Sequence, residues 1–166
     1  MIRLSKETAT YTFSAAHPPA IRIQPGETIV FETLDALDNQ IHSDEDSASK
    51  IDLGHVNAAT GPVYVEGAAP GDTLVAEILE IKPWNWGAAL IIPGFGFLQD
   101  TIPGPYTRVF QVEPDGSMRY GSRVRLPLKP MIGTIGVAPL EPITTLSSGA
   151  HGGNLDTTDV QAGCKM

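Results

Sequence analysis

A mainly β fold, a sandwich or barrel-like arrangement with few short helices, is what the sequence predicts, and three observations predict it. Seventeen glycines and 14 prolines in 166 residues punctuate the chain too often for long helices. Between them lie short stretches rich in β-branched or alternating residues, the pattern of half-buried strands. These stretches recur with turn residues between them, as in sandwiches and barrels.

In chain order the predicted strands are "AIRIQ" (20–24), "TIVFETL" (28–34), "PVYVEG" (62–67), "TLVAEILEI" (73–81), "YTRVFQVE" (106–113), "SRVRLPL" (122–128) and "IGTIGVAP" (132–139). The acidic stretch "LDALDNQIHSDEDSASKIDLGHVN" (34–57) reads as a long loop with at most one short helix. Long loops in compact domains are often functional. "PGETIVFETLD" (25–35) and "PGDTLVAEILE" (70–80) align without a gap, each a Pro-Gly turn before a strand that ends in a carboxylate. The echo reads either as a common way to open a strand or as a duplicated β-unit.

The length suits a single β-rich domain over residues 1–166. A formal net charge of −8 repels phosphate backbones and anionic lipid, so neither nucleic acid nor a membrane is an expected partner. The first 20 residues hold no secretory-type apolar region, and the longest apolar run, "GAALIIPGFGFL", is broken by Pro93. With Cys164 as the single cysteine, the expectation is a cytoplasmic protein. The aromatics Trp84, Trp86 and Phe95 either fill the core or form a patch that makes a homo-oligomer.

Several catalytic classes lack their motifs. There is no G-x-S-x-G nucleophile elbow and no phosphate loop of Walker or Rossmann spacing. Nothing beside Cys164 identifies a base that would activate its thiol. What the loops do carry is oxygen and imidazole: Asp35, Asp38, Asn39, Gln40, His42, Asp44, His55, Asn57, His151, Asn154 and Asp156. Metal-assisted hydrolysis uses such groups around an open position for water. His151 and Asp156, separated by Gly152 and Gly153 on what reads as a flexible loop, could converge on one ion. Taken singly, an Asp or Asn in a loop makes an Asx-turn, and a lone His is a hydrogen-bonded side chain. A partial similarity to the copper-carrying cupredoxins rests on His42, Cys164 and Met166, but only Lys165 stands where that family places its second histidine.

"GHVNAATGPVYVEGAAPGDTLVAEILEI" (54–81) resembles the signature stretch of the acetamidase/formamidase family, with its N-x-x-T-G-P-x-Y-V-E-G-A-x-P-G-D-T-L order. "PGETIVFETLDALDNQI" (25–41), "PMIGTIGVAP" (130–139) and "GAHGGNLDT" (149–157) are similar to further family segments and lie in the family's order. The resemblance implies a mainly β fold, hydrolysis of short amides such as formamide or acetamide to the acid and ammonia, and a divalent metal, zinc or calcium. Asp35, Gln40, Glu66, His151, Asn154 and Asp156 match family motifs. Of these, Asp35, His151 and Asp156 are the expected metal ligands. Gln40, Glu66 and Asn154 are the expected catalytic groups, Glu66 as a proton-transfer group or a structural carboxylate. Family members are much longer, and their second half carries a G-D-x-H-A-x-Q-G-D-G-E type segment that is absent from this sequence. The chain therefore resembles the N-terminal part of the family architecture, with a C-terminal half as an expected partner. A catalytically inactive β-domain that binds a small ligand or assembles with another chain is the alternative.

Overall fold

The computed structural model describes residues 1–102 and 104–166. The described residues are mainly β, with three single-turn 3-10 helices at Lys6–Thr8, Ala48–Lys50 and Leu53–His55. Among them no helix is long and apolar enough to cross a membrane. The frequent Pro and Gly residues keep the strands short, and pairing is divided into ladders of two or three strands.

The chain divides into two compact units. The first comprises Met1–Asp38, Leu53–Glu80 and Met131–Met166. Two of its ladders are parallel, Ile2–Leu4 with Ile29–Phe31 and Ile21–Ile23 with Val63–Val65. Parallel strands cannot be joined by a tight hairpin, so each pair closes a long stretch of chain. Antiparallel pairs join Ala9–Thr10 to Ala59–Thr60 and Thr12–Phe13 to Ile143–Thr144. The three-stranded ladder places Gly152–Asn154 between Thr134–Gly136 and Ser148–Gly149. Leu4, Ile23, Val56 and Val160 are its buried apolar side chains. Thr145, fully buried, donates its N–H and its hydroxyl to the Tyr11 carbonyl oxygen at 3.1 and 3.2 Å, fastening the strand that follows Tyr11.

The second unit comprises Asn39–Asp52 and Ile81–Pro130. Its main ladder pairs Trp86–Ile91 with Tyr106–Gln111, and a smaller one pairs Ser117–Tyr120 with Val124–Pro127. Asp44 ties the acidic loop to the main ladder, accepting from the Val109 N–H at 2.6 Å and pairing with Arg108. Ile41 and Ala48 are buried here. Trp86 is half-buried, whereas Trp84 and Phe95 stay exposed and do not fill the core.

Six of the seven predicted strands contain an observed one, at Ile21–Ile23, Ile29–Phe31, Val63–Val65, Tyr106–Gln111, Val124–Pro127 and Thr134–Gly136. The seventh, 73–81, is a correction: it has the composition of a strand but forms only an isolated bridge, Glu77 with Lys165. The two Pro-Gly echoes thus diverge, since only the first runs into a paired strand.

Candidate active site

The segment read from sequence as a flexible loop around His151 is a tight hairpin. Gly152 and Gly153 adopt φ of +91° and +96°, a region that side-chain-bearing residues avoid. A Cβ on Gly153 would stand 2.2 Å from the Ser147 carbonyl oxygen, and one on Gly152 would stand 2.5 Å from that of Ile135. Glycine is what lets the three strands approach here. His151 is consequently fixed: it is 8% exposed and packs its ring edge against Phe13 at 5.3 Å between centroids. Its Nε2 is buried with no hydrogen-bond partner among the described residues. Buried polar atoms in folded proteins are nearly always paired, so this nitrogen marks a position that a water, an ion or a reacting group can fill.

Three residues beyond His151, Asn154 links separate parts of the first unit. Its Oδ1 accepts from Asn57 Nδ2 at 3.1 Å and from Thr134 Oγ1 at 3.2 Å. Its Nδ2 donates to the Leu146 carbonyl at 3.5 Å. The Asn57 backbone N–H in turn donates to Ala36 O at 2.8 Å, which brings in the turn that opens at Asp35. In that turn Asp35 Oδ1 accepts from Leu37 N at 2.8 Å, and Asp38 N donates to Asp35 O at 3.0 Å, a local Asx-type closure. Asp38 then accepts from the Tyr11 hydroxyl at 2.8 Å, and the Tyr11 ring meets His55 edge-on at 5.0 Å. Asp38, Asn57 and Asp156 all have positive φ, at +53°, +55° and +46°. Asn and Asp tolerate this conformation best, and such backbone is concentrated at functional sites.

The residues expected from sequence thus do not all come together. Asp35 and Asn154 belong to the network that runs through Ala36 and Asn57, and His151 sits in the same hairpin as Asn154. Asp156 is exposed; both its N–H and that of Leu155 donate to Gly133 O, and its Oδ1 lies where a Cβ on Gly133 would come within 2.8 Å.

Gln40 belongs to the second unit, where it clamps the acidic loop. Its Oε1 accepts from Asp52 N at 2.7 Å and its Nε2 donates to Asp52 O at 3.2 Å. In the same loop the backbone N–H groups of His42 and Ser43 hold the Asp46 carboxyl below the usual carboxylate range.

Glu66 forms an ion pair with Arg22 at 3.1 Å, and the guanidinium stacks on Tyr64 at 4.1 Å. This joins the ends of the Ile21–Ile23 and Val63–Val65 ladder, the arrangement of a structural carboxylate. An exposed pair of this kind contributes little to stability, because solvent screens it. Glu66→Gln, which keeps an oxygen for Arg22, is expected to leave the amide turnover that the resemblance implies within a few-fold of the parent. A loss of about 10²-fold or more would assign Glu66 to proton transfer instead.

The divalent ion implied by the resemblance can be tested against these donors. Among the described residues no three His, Cys, Asp or Glu side chains come together as a metal centre needs. Asp35 commits an oxygen to Leu37 N, and Asp156 is held over Gly133. The donors among the described residues do not by themselves fit a complete metal site. Tyr11 joins the network from outside the quoted motifs, with the alternation of "ATYTF" as its available signal, and Thr134 joins it from within "PMIGTIGVAP".

Comparison with known proteins gives this arrangement a context. The family model described as Acetamidase/Formamidase matches residues 5–148. The acetamidase of Mycolicibacterium smegmatis is 34% identical over 109 residues, which cover 56% of this chain and 27% of that enzyme. Among solved structures, the acetamidase of Bacillus halodurans has a TM-score of 0.93 and 44% identity, covering 96% of this chain and 54% of the relative. A predicted acetamidase/formamidase from Thermoanaerobacter tengcongensis has a TM-score of 0.94 and 39% identity, covering 99% of this chain and 55% of the relative. The chain spans little more than half the length of these solved relatives and a smaller share of the curated one. With a family match over most of its length and the fold shared throughout, the chain belongs to the acetamidase/formamidase family.

Proposed function

We propose that this chain supplies part of the active site of an amidohydrolase that converts short linear amides, formamide or acetamide in type, to the carboxylic acid and ammonia. The observation that carries the reading is that three separated family segments, at Asp35–Asp38, Asn57 and Asn154, meet in one hydrogen-bonded network beside a buried His151 with a free Nε2.

Amide hydrolysis requires an activated water, donors for the developing oxyanion and a proton for the departing ammonia. In this reading His151 Nε2 exchanges a proton or a hydrogen bond with the reacting group. Asn57 Nδ2 spends one of its two hydrogens on Asn154, and the second is the donor for the substrate oxygen. Asn154 holds Asn57 in place. Asp38, through Tyr11, fixes the ring beside His55.

Zinc or calcium, with Asp35, His151 and Asp156 among its ligands, stays part of the proposal only with further donors from outside residues 1–166, and no step above depends on it. A cytoplasmic setting is likewise proposed, as is a homo-oligomer, for which exposed Trp84 and Phe95 offer apolar surface. The alternative, an inactive β-domain that assembles with a partner, is favoured by the lack of a three-donor metal cluster among the described residues.

The test is ammonia release from formamide and acetamide by this chain joined to the remaining length of a family member. Ammonia and carboxylate in equal amounts are expected. Release from neither amide would overturn the amidohydrolase reading and favour the inactive domain.

A further inference from the structure

Residues 73–81 have strand chemistry and half of a strand's partners. One edge is occupied by the end of the chain: Ala76 N donates to Met166 O at 2.8 Å and Met166 N donates to Ala76 O at 3.0 Å. Ile78 N donates to Cys164 O at 3.0 Å, and Gly163 N donates to Ile78 O at 2.7 Å. Glu77 lies opposite Lys165 and pairs with its ammonium at 3.4 Å. Alternation along an extended chain then turns the N–H and C=O groups of Val75, Glu77 and Leu79 to the other side. None of these three has a backbone hydrogen bond among the described residues.

The side chains agree with the backbone. Leu74 is 51% exposed, and Val75 and Leu79 are each 62% exposed. An open edge flanked by exposed branched apolar residues is a template for another strand, and self-contained proteins protect such edges with charge, proline or a covering element. Glu77 is the one charge between Val75 and Leu79, and it is already paired. The echoed segment shows what the same pattern does when a partner is present: Ile29–Phe31, after its own Pro-Gly turn, pairs with Ile2–Leu4.

We infer that the open edge at Leu74–Leu79 is a docking strand, and that its occupant is a β-strand from the part of the family fold that this chain does not span. The length relation identifies the occupant. Nearly all of this chain, 96% and 99%, superposes on only 54% and 55% of two solved relatives, so close to half of that fold lies outside the matched region. The incoming segment is extended, with alternate apolar side chains that cover Val75 and Leu79, and it is bound mainly by backbone hydrogen bonds. The inference rests on the proposed role of this chain as one part of a longer enzyme, but it concerns assembly and is read without any activity.

The experiment is amide hydrogen exchange, resolved by residue, together with light scattering. It compares the 166-residue chain alone with the same chain co-expressed with the C-terminal segment of the Bacillus halodurans acetamidase beyond the matched 54%. Alone, the Val75, Glu77 and Leu79 amides are expected to exchange quickly and those of Ala76 and Ile78 slowly. In the co-expressed complex the outer three are expected to slow by at least about tenfold. The double substitution Val75→Lys, Leu79→Lys changes exposed side chains only and is expected to weaken the complex while leaving the circular dichroism of the chain unchanged. Failure to form a complex, or a complex in which the outer amides exchange as before, overturns the inference. So does slow exchange of those amides in the isolated chain, whether it is monomeric or pairs with a second copy. Absence of ammonia release from a complex with protected outer amides would count against the enzymatic reading and leave the docking strand standing.

Discussion

Gly153→Ala is expected to lower stability by about 3 kcal/mol, or roughly 10 °C in melting temperature. Two causes add. Alanine is strained at φ +96°, and its Cβ would fall 2.2 Å from a backbone oxygen, Ser147 O, and 2.9 Å from His151 Nε2. Neither obstacle is the end of a flexible side chain that swings away at no cost, because the oxygen belongs to the backbone and the imidazole is buried against Phe13. The hairpin must open, taking His151 and Asn154 with it. A thermal melt of the purified variant checks this, and an unchanged midpoint would contradict the packing described for the three-stranded ladder. The same surroundings make His151→Ala a core substitution with a folding cost. Loss of function in that variant is therefore interpretable only alongside its stability.

Asn154→Ala is expected to cause the largest loss of activity short of unfolding. Removing Oδ1 leaves Asn57 Nδ2 and Thr134 Oγ1 without their acceptor in a half-buried setting, at about 1–3 kcal/mol for each group that finds no water. Asn57 is then free to turn. Small displacements of a positioning group cost on the order of 10² in rate, and a loss of that size in ammonia release by the active protein is the expected result. Asn154→Asp provides the contrast. A carboxylate keeps acceptors for both Asn57 and Thr134 and gives up only the long 3.5 Å donation to Leu146 O, so most of the stability should return. Equal damage from Ala and Asp would show that the Asn57 and Thr134 contacts are not what Asn154 contributes.

Much of the β character was legible because burial and side-chain branching leave a local mark. "AIRIQ", "PVYVEG" and "YTRVFQVE" alternate or branch, and each contains a strand. Ser148–Gly149 and Gly152–Asn154 carried no such mark, since glycine has no side chain to alternate. Their strand character comes from the close approach of Ile135 and Ser147, a tertiary fact. Trp86–Ile91 was hidden in a run that reads as uniformly apolar, and Ile2–Leu4 in a segment too short to show a period. The reverse error at 73–81 has the complementary cause, because strand composition is visible in sequence whereas an available partner is not.

For the site, family motifs name Asp35, Gln40, Glu66, His151, Asn154 and Asp156, but motif membership does not say which of them share a hydrogen-bonded network. Glu66 lies within the most specific motif and pairs with Arg22, a contact across 44 positions that only folding brings about. Gln40, from the "DNQ" motif, closes its own loop on Asp52. Tyr11 lies outside every quoted motif and enters through its hydroxyl contact with Asp38.

In the proposed reading, the network around Asn57, Asn154 and His151 is one part of an amide-hydrolysing site that residues outside 1–166 complete. The decisive measurement is formamide-dependent ammonia release, side by side, for residues 1–166 alone and for the same residues joined to the remaining family length. General acid/base help is typically worth ~10²–10⁴-fold, and the joined protein is predicted to exceed the isolated chain by at least about 10² in kcat/KM. Equal rates in the two preparations would contradict the claim and place every required group within the 166 residues.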